Sequence, residues 1–325
     1  MIVCNRVILT LYTKYVIFSM PSWIKAKRFS AFTALPYGGN PAWVVMGAED
    51  LADREIQTIA SDLNPNSDTA FVFSESTAEA DIFLRFFNGK HEVNFSSHAA
   101  IATYFALSAE GVLKLKEPET IIKQRTKTGI NSVELRVEGE RITRATITLA
   151  KPSYLDLEIN PALVARFLGL SQADVTGAGL PMDVVSTSFY DLVVTVRSLK
   201  EMRNIVPNFS LMDSFCVRLG INGIIVFCRQ TFDVESTAFM RHFTPSTGIN
   251  ENPISGLAAG SLGCYLLKHK MLEPANFSRI IIEQGHLQQK QGKVYVYLET
   301  TRGQIYRVKI GGNAVITFTG YILTP

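Results

Sequence analysis

The sequence has few of the features that mark metal-binding, secreted or nucleic-acid-binding proteins. Its four cysteines form no Cys-x-x-Cys pair and its five histidines are dispersed, so neither a zinc motif nor a disulfide framework is predicted. Charged residues make up only 19% of the 325 residues, with 32 basic and 29 acidic side chains and no basic run of five. This balance favours neither nucleic acid nor a membrane surface as a partner. Scattered cysteines are typical of reduced thiols, which predicts a cytoplasmic protein.

A long hydrophobic run is also missing. Residues 7–20 are mostly apolar and follow Arg6, which imitates a signal peptide. Lys14 interrupts the run, no small-x-small cleavage site follows, and the run is shorter than the about 20 residues that span a membrane. We therefore predict that residues 1–22 are an N-terminal extension, with Met20 as a start site. A signal peptide is the alternative interpretation.

What the sequence does contain is an internal repeat. Residues 82–89 and 96–102 share a pattern with residues 238–245 and 254–260. Each copy predicts a strand that contains an arginine, then a polar loop, then a helix of small residues that begins at hydroxyl side chains. Two helix N-termini on opposite sides of one cleft can hold a small anion. The length of the chain is typical of two domains, so the repeat predicts two similar halves.

The two helices of the repeat are predicted to lie at the centre of the fold. Residues 97–107 are apolar nearly all round, which is typical of a buried helix. Residues 256–268 have the same character, and strands are predicted on either side of both helices. The repeated arginines Arg85 and Arg241 are expected to pair with nearby carboxylates and to have a structural role.

Several short motifs occur in an order and spacing that resemble the phenazine biosynthesis PhzF-like family. The resemblance covers roughly residues 23–325, and its motifs are Phe32-Thr33, Gly39-Asn40-Pro41, Ser67-Asp68-Thr69-Ala70-Phe71, Arg85-Phe86-Phe87, His98-Ala99, Arg241-His242-Phe243-Thr244-Pro245, Asn252-Pro253-Ile254-Ser255-Gly256 and Glu283-Gln284-Gly285. The order of the motifs carries the resemblance, because no one of them is decisive.

The resemblance implies an α+β fold like that of diaminopimelate epimerase. Such a fold has two pseudo-symmetric lobes, each a curved, mostly antiparallel sheet wrapped around a central helix. Residues 23–127 with 312–325 would form the first lobe, residues 128–311 the second, and the active-site cleft would lie between them. The resemblance further implies a homodimer and a small-molecule carboxylate substrate, with no nucleic acid or membrane partner.

The activity that the resemblance implies is isomerisation by proton transfer on a small cyclic carboxylic acid, without a cofactor or a metal. Asp68 matches the family's proton-shuttling glutamate, and His98 matches a histidine at a helix start that binds a substrate carboxylate or stabilises an enolate-like intermediate. The substrate-binding positions implied alongside them are Asn40, Ser67, Ser97, Asn252, Ser255 and Gly256.

This chain departs from the family pattern at the site itself. Asp68 is one methylene shorter than glutamate, and Asn252 stands where the family usually has an aspartate that can ionise. Leu257 replaces a hydroxyl, and Ser97 replaces a glycine. These changes leave open a catalytically impaired protein that binds a small molecule or another protein on the same scaffold. Serines 96 and 255, where diaminopimelate epimerase has cysteines, argue against two-thiol racemisation.

Each candidate residue also has a structural interpretation. Asp68 can close a turn after Asn66-Ser67, and His98 can be a helix cap or a core histidine. Asn40 can hold its Gly-Gly-Asn-Pro turn, and Gly256 can allow close backbone packing. Cys264, two turns inside the second helix, is predicted to be a core residue.

Overall fold

The computed structural model describes residues 22–74, 79–273 and 275–325. The predicted N-terminal extension lies outside the described residues, except for Ser22, and so does Cys4. Within the described part of the chain, no helix combines the length and apolar character needed to cross a membrane.

The first half of the chain contains a run of strands interrupted by two helices. The strands are β1 (Trp23–Ala31), β2 (Asn40–Met46), β3 (Thr69–Ser74), β4 (Ile82–Phe87), β5 (Glu92–Val93), β6 (Glu119–Thr126), β7 (Gly129–Glu138) and β8 (Arg141–Leu149), and the helices are α1 (Asp53–Leu63) and α2 (Ser97–Ala109).

The second half has the same plan with additional short helices. Its strands are β9 (Ser153–Leu155), β10 (Asp183–Ser186), β11 (Tyr190–Thr195), β12 (Gly223–Cys228), β13 (Ala238–Thr244), β14 (Ile249–Asn252), β15 (Phe277–Gln284), β16 (Gly292–Thr301), β17 (Gln304–Gly312) and β18 (Ala314–Leu323). Its helices are α3 (Pro161–Leu168), α4 (Gln172–Thr176), α5 (Leu199–Asn204), α6 (Phe209–Leu219) and α7 (Gly256–Lys268), with single 3-10 turns at Pro245–Thr247 and His286–Gln288.

The strands form one continuous ladder whose two ends mirror each other. The spatial order is β18-β1-β2-β3-β4-β6-β7-β8 followed by β17-β16-β15-β13-β12-β11-β10-β9, and the short strands β5 and β14 pair with β4 and β13. Parallel pairing occurs at matching places, between β2 and β3 and between β4 and β6 in one half, and between β11 and β12 and between β13 and β15 in the other. The repeat in the sequence is therefore a pseudo-two-fold repeat in the fold.

Helices α2 and α7 occupy the centres of the two halves, as their composition predicts. Helix α2 packs against β1, β2 and β8, and helix α7 packs against β10, β16 and β17. Ile101 and Tyr104 of α2 and Leu262 and Tyr265 of α7 belong to a core shared by both halves. Two smaller cores lie under α1 and under α3 and α6. The predicted α+β fold with a sheet around each central helix is confirmed.

The position of the domain boundary remains a prediction. The expected boundary at residues 127 and 128 lies in the turn between β6 and β7, which pair along their whole length. The mirror symmetry of the ladder groups β7 and β8 with the first half and so favours a division after Leu149. Strand β18 returns to pair with β1, as the sequence suggested for the last strand.

Candidate active site

The starts of α2 and α7 open onto one cavity of about 550 Å³ between the two halves. Residues at the start of both central helices line this cavity, so both N-termini reach the same cleft. Of the residues predicted for the site, those that line this cavity are Asn40, Asp68, Ser97, His98, Asn252 and Ser255. Ser67 and Gly256 are in contact with this group. The structure therefore brings together all eight predicted residues.

His98 is held by serines on both sides of its ring. Its Nε2 lies 3.0 Å from Ser67 Oγ, and its Nδ1 lies 3.3 Å from Ser96 Oγ. The Ser67 hydroxyl donates to the carbonyl of Pro41 at 2.9 Å, so its oxygen is free to accept from Nε2–H of His98. This network favours the tautomer with the proton on Nε2. Burial lowers the pKa of His98, although Asp68 acts in the opposite direction, so the ring is neutral at pH 7.

Asp68 lies beside His98 at the edge of the cavity. Its Oδ2 is 3.9 Å from His98 Nε2, which is too long for a direct hydrogen bond. The backbone carbonyl of Asp68 accepts a hydrogen bond from Asn64 Nδ2 at 3.1 Å, which fixes the turn after α1. Asp68 therefore fits both the structural and the functional interpretation. Its backbone belongs to a turn, and its side chain faces the cavity and the imidazole.

The N-terminus of α2 has no side-chain cap. The sequence predicted that Ser96 or Ser97 would cap this helix, but the Ser96 hydroxyl contacts His98 and makes no hydrogen bond to the first turn. At α7, by contrast, Ser255 Oγ accepts from the backbone N–H of Ala258 at 3.3 Å. The first N–H groups of a helix lack intrahelical partners, so the uncapped α2 is the end that can bind an anion.

Gly256 allows the two helix starts to approach each other. A Cβ atom added at this position would lie 2.8 Å from Ser97 Oγ, 2.8 Å from Phe32 Cζ and 2.6 Å from Ile310 Cδ1. Carbon atoms do not approach other heavy atoms so closely without displacement, so any side chain at this position would displace these neighbours, whereas glycine fits without displacement.

The asparagines of the predicted site fix the backbone around the helix starts. Asn40 Nδ2 donates to the carbonyl of Ile254 at 2.7 Å and so joins the first half to the start of α7. Asn252 Nδ2 donates to Thr244 Oγ1 at 2.8 Å. Gln284, which stands in one of the family motifs but was not predicted for the site, donates to the carbonyl of Asn252 and accepts from the backbone N–H of Ser255. These amides hold the cavity wall in place.

The repeated arginines have the structural role predicted for them. Arg85 donates to Glu92 at 2.8 Å and to Asp53 at 2.7 Å, and Arg241 donates to Glu251 at 2.8 Å. The two arginine–glutamate pairs join β4 to β5 and β13 to β14, so they are equivalent in the two halves.

Sequence reasoning missed the two ionisable residues that the second half contributes to the cavity lining, Asp191 and His242. Their side chains interact, with His242 Nε2 3.2 Å from Asp191 Oδ1. The repeat held a signal for His242, since the equivalent position of the first copy is Phe86 and the repeat breaks there. Asp191 stands alone near the start of a strand and has no comparable signal.

The described residues provide neither a metal site nor a reactive thiol at Cys264. Among the described residues, the His, Cys, Asp and Glu side chains form no group of three or more that could bind a metal ion. Cys264 is fully buried in the core, as predicted, and burial raises the pKa of its thiol to about 12. A thiol with such a pKa is protonated and unreactive at neutral pH.

Comparison with known proteins agrees with this architecture. The family model described as phenazine biosynthesis-like protein, PhzC-PhzF, matches residues 29–320. A curated relative from Clostridium acetobutylicum, named an uncharacterized isomerase, is 32% identical over 90% of this chain and 95% of its own length. A crystal structure of a PhzF-family phenazine biosynthesis protein from Bacillus anthracis has a TM-score of 0.84 at 28% identity, covering 93% of this chain and 99% of its own.

A more distant solved structure shares only the fold. The hydroxyproline epimerase from Agrobacterium vitis, which was solved with bound trans-4-hydroxy-L-proline, has a TM-score of 0.65 at 11% identity. It covers 93% of this chain and 92% of its own. The two-lobed scaffold is thus common to proteins at very different levels of sequence identity.

Proposed function

Because this chain belongs to the phenazine biosynthesis-like (PhzC-PhzF) family, we propose that it is a cofactor-independent isomerase that moves a proton between two atoms of a small cyclic carboxylic acid. The family places the chain among isomerase-type proteins. The observation that carries the finer proposal is the convergence of a carboxylate, a neutral imidazole and an uncapped helix N-terminus in one cavity, at Asp68, His98 and the start of α2.

The substrate carboxylate would bind at the start of α2. The free backbone N–H groups and the positive end of the helix dipole favour an anion there. Lys90 and His91 also line the cavity and are exposed, so they lie at its solvent edge. A cationic residue at the entrance favours the approach of an anionic ligand. A carboxylic acid therefore suits this cavity better than a neutral or cationic compound.

Asp68 would take the proton. In the ionised state it accepts a proton from a substrate carbon next to a conjugated system, and the electron pair of the broken C–H bond moves into that system. Neutral His98, whose Nε2–H lies beside Asp68, would turn this N–H from Ser67 Oγ to the substrate oxygen on which charge develops. Asp68 then returns the proton to another atom of the conjugated system and is ionised again, so the reaction is balanced without a cofactor.

The test is exchange of carbon-bound hydrogen in D₂O, followed by NMR and mass spectrometry. The probes are cyclic carboxylic acids, both saturated (trans-4-hydroxy-L-proline) and unsaturated (cyclohexadiene carboxylic acids). Asp68→Asn removes the group that accepts the proton and is expected to slow exchange by about 100-fold or more. Asp62→Asn on the exposed face of α1 is the matched control and should exchange at the wild-type rate. Wild-type exchange rates in Asp68→Asn would refute the assignment.

A second function, ligand binding without turnover, is favoured by one observation. The short Asp68 side chain stands where the family has glutamate, and Asn252 cannot ionise. If the wild-type protein binds one of the probe acids, seen as shifted NMR resonances of the protein, and never exchanges a carbon-bound proton, the binding function replaces the isomerase proposal.

A further inference from the structure

Within the part of the chain that the structure describes, the second half contributes two ionisable side chains to the lining of the cavity. They are Asp191 and His242, which are 2% and 3% exposed. The first half contributes the others, namely Asp68, Lys90, His91, Glu92 and His98. Among the described residues, Asp191 and His242 are therefore the ionisable candidates for proton transfer from the side of the second half.

The two residues form a hydrogen-bonded pair with a third partner. Asp191 Oδ1 lies 3.2 Å from His242 Nε2 and accepts from Asn222 Nδ2 at 3.0 Å. Because a carboxylate only accepts hydrogen bonds, the contact places a proton on His242 Nε2. The lone pair of Nδ1 then remains, and Nδ1 is buried with no hydrogen-bond partner among the described residues. An unsatisfied buried nitrogen is costly, so a partner supplied by a ligand would be favoured.

Strand geometry explains why this pair faces the cavity. Along β13, His242 is on the same face as Met240, and along β11, Asp191 is on the same face as Val193. Met240 and Val193 belong to the core around α7. His242 and Asp191 lie nearer the end of that face at which α7 begins. His242 is also directly opposite Asn252 in the β13–β14 pairing, and side chains at such positions are neighbours.

Comparison of the two copies of the repeat shows that the buried histidine of each half occupies the position of an apolar residue in the other half. In the first half, His98 lies at the helix start and Phe86 on the strand; in the second half, Leu257 lies at the helix start and His242 on the strand. Each half thus places one buried histidine at the cleft, from a different element. Val93, the equivalent of Asn252, is apolar, so His242 and Asn252 are polar together where Phe86 and Val93 are apolar together.

From this arrangement we propose that His242, oriented by Asp191, is the second proton-transfer group of the cavity, opposite Asp68. The proposal rests on the isomerase function proposed above and deepens it. Asp68 takes the proton from one substrate atom and the C–H electron pair enters the conjugated system, as proposed above. In place of the return of this proton by Asp68, doubly protonated His242 gives its Nδ1 proton to the other atom. Asp68 then carries the extra proton and His242 is neutral, so water resets both groups before the next turnover.

The first experiment needs no substrate. NMR of protein labelled with ¹⁵N-histidine reports which ring nitrogen carries the proton, and the His242 signals are identified by their loss in His242→Gln. The proposal requires that neutral His242 has its proton on Nε2 and none on Nδ1. A proton on Nδ1 of the neutral ring would overturn the proposal whether or not any acid is a substrate.

The second experiment measures exchange in the probe acids. His242→Gln retains a donor toward Asp191 but cannot carry an additional proton, and it is expected to lower the exchange rate by about 100-fold. Asp191→Asn is expected to lower it as well, by disrupting the orientation of the ring. The matched control is His269→Gln, since His269 also pairs with an aspartate, Asp183 at 2.7 Å, but does not line the cavity. Its rate should equal that of the wild type.

The outcomes distinguish the proposed role of His242 from the proposed isomerase function. If Asp68→Asn loses exchange while His242→Gln exchanges like the wild type, the isomerase function stands and the role of His242 is refuted. If the wild type exchanges none of the acids, the isomerase function fails for those acids, and a proton on Nδ1 of neutral His242 would still refute its assigned role independently. Loss of exchange in both variants, with His269→Gln unaffected, supports both proposals.

Discussion

Gly256→Ala tests whether the close approach of the two helix starts shapes the cavity. The added Cβ would lie 2.6 Å from Ile310 Cδ1 and 2.8 Å from Phe32 Cζ and Ser97 Oγ, and ordinary van der Waals contact begins at 3.4 Å, so these side chains or the helix starts that carry them must move by about 0.6–0.8 Å. Overpacking of this kind costs about 1–3 kcal/mol, of which the better helix propensity of alanine returns less than about 1 kcal/mol. We expect a net loss of about 1–2 kcal/mol in the free energy of unfolding.

The same displacement should reduce activity. Ser97 precedes His98 directly, and a misplacement of about 1 Å at a reacting group can cost on the order of 100-fold in rate, so a shift of about 0.6 Å should cost roughly 10-fold. Urea unfolding measures the stability change, and deuterium exchange in the probe acids measures the rate.

Gly263→Ala is the matched control, because it lies on the same helix. Its added Cβ would lie 2.8 Å from Val296 Cγ1, far from the cavity lining. It should lose stability without a specific loss of exchange. If Gly256→Ala and Gly263→Ala affect exchange equally, the contact between the helix starts does not shape the site and the reasoning fails.

Three further predictions follow from single side chains. Lys25 and Lys27 hold the pKa of Glu110 below its ordinary value, so this carboxylate stabilises the fold above about pH 4.5 and the effect is lost as the pH falls through the lower folded pKa. Because solvent screens these ion pairs, Glu110→Gln should cost no more than about 1 kcal/mol in urea unfolding at pH 7 and less at pH 3. Burial lowers the pKa of His98, so the unfolded chain binds a proton more readily than the folded protein. The free energy of unfolding should therefore fall as the pH drops below about 6.5. His98→Asn should remove this part of the pH dependence, which urea unfolding between pH 7.5 and 5.5 measures. Asp68→Glu restores the longer carboxylate and should change the exchange rate by about 10-fold or more while Asp62→Glu does not, and an unchanged rate would contradict direct contact of Asp68 with the substrate.

The central architecture could be predicted because its signals are local. Helices α2 and α7 follow from runs of small apolar residues that begin at serines, and the repeat predicts that two such helices occur in equivalent places. The continuous ladder could not be predicted in the same way. Pairing between β8 and β17 joins residues more than a hundred positions apart, and its register depends on packing over both halves rather than on any local pattern.

Part of the candidate site could also be predicted, because its signals are local. Asp68 and His98 stand in motifs that can be compared with a family, whereas Asp191 does not stand in such a motif and acquires its role only when β11 and β13 lie on either side of β12. Ser96 illustrates the opposite case. A serine before a small-residue helix predicts a cap, but His98 Nδ1 competes for its hydroxyl, and this contact leaves the helix end open.

The unlike chemistry of the two halves bears on the type of isomerisation. A racemase that uses two groups removes a proton from one face of a carbon and returns one to the other face of the same carbon, so equivalent groups at equivalent positions of a pseudo-two-fold cleft suit the reaction. Here Asp68 and His98 lie after α1 and at the start of α2, whereas His242 and Asp191 lie on strands. Groups that differ in chemistry and in position suit a reaction that removes a proton from one atom and adds a proton to a different atom. The asymmetry therefore favours transfer between two inequivalent atoms of the substrate over inversion at a single carbon.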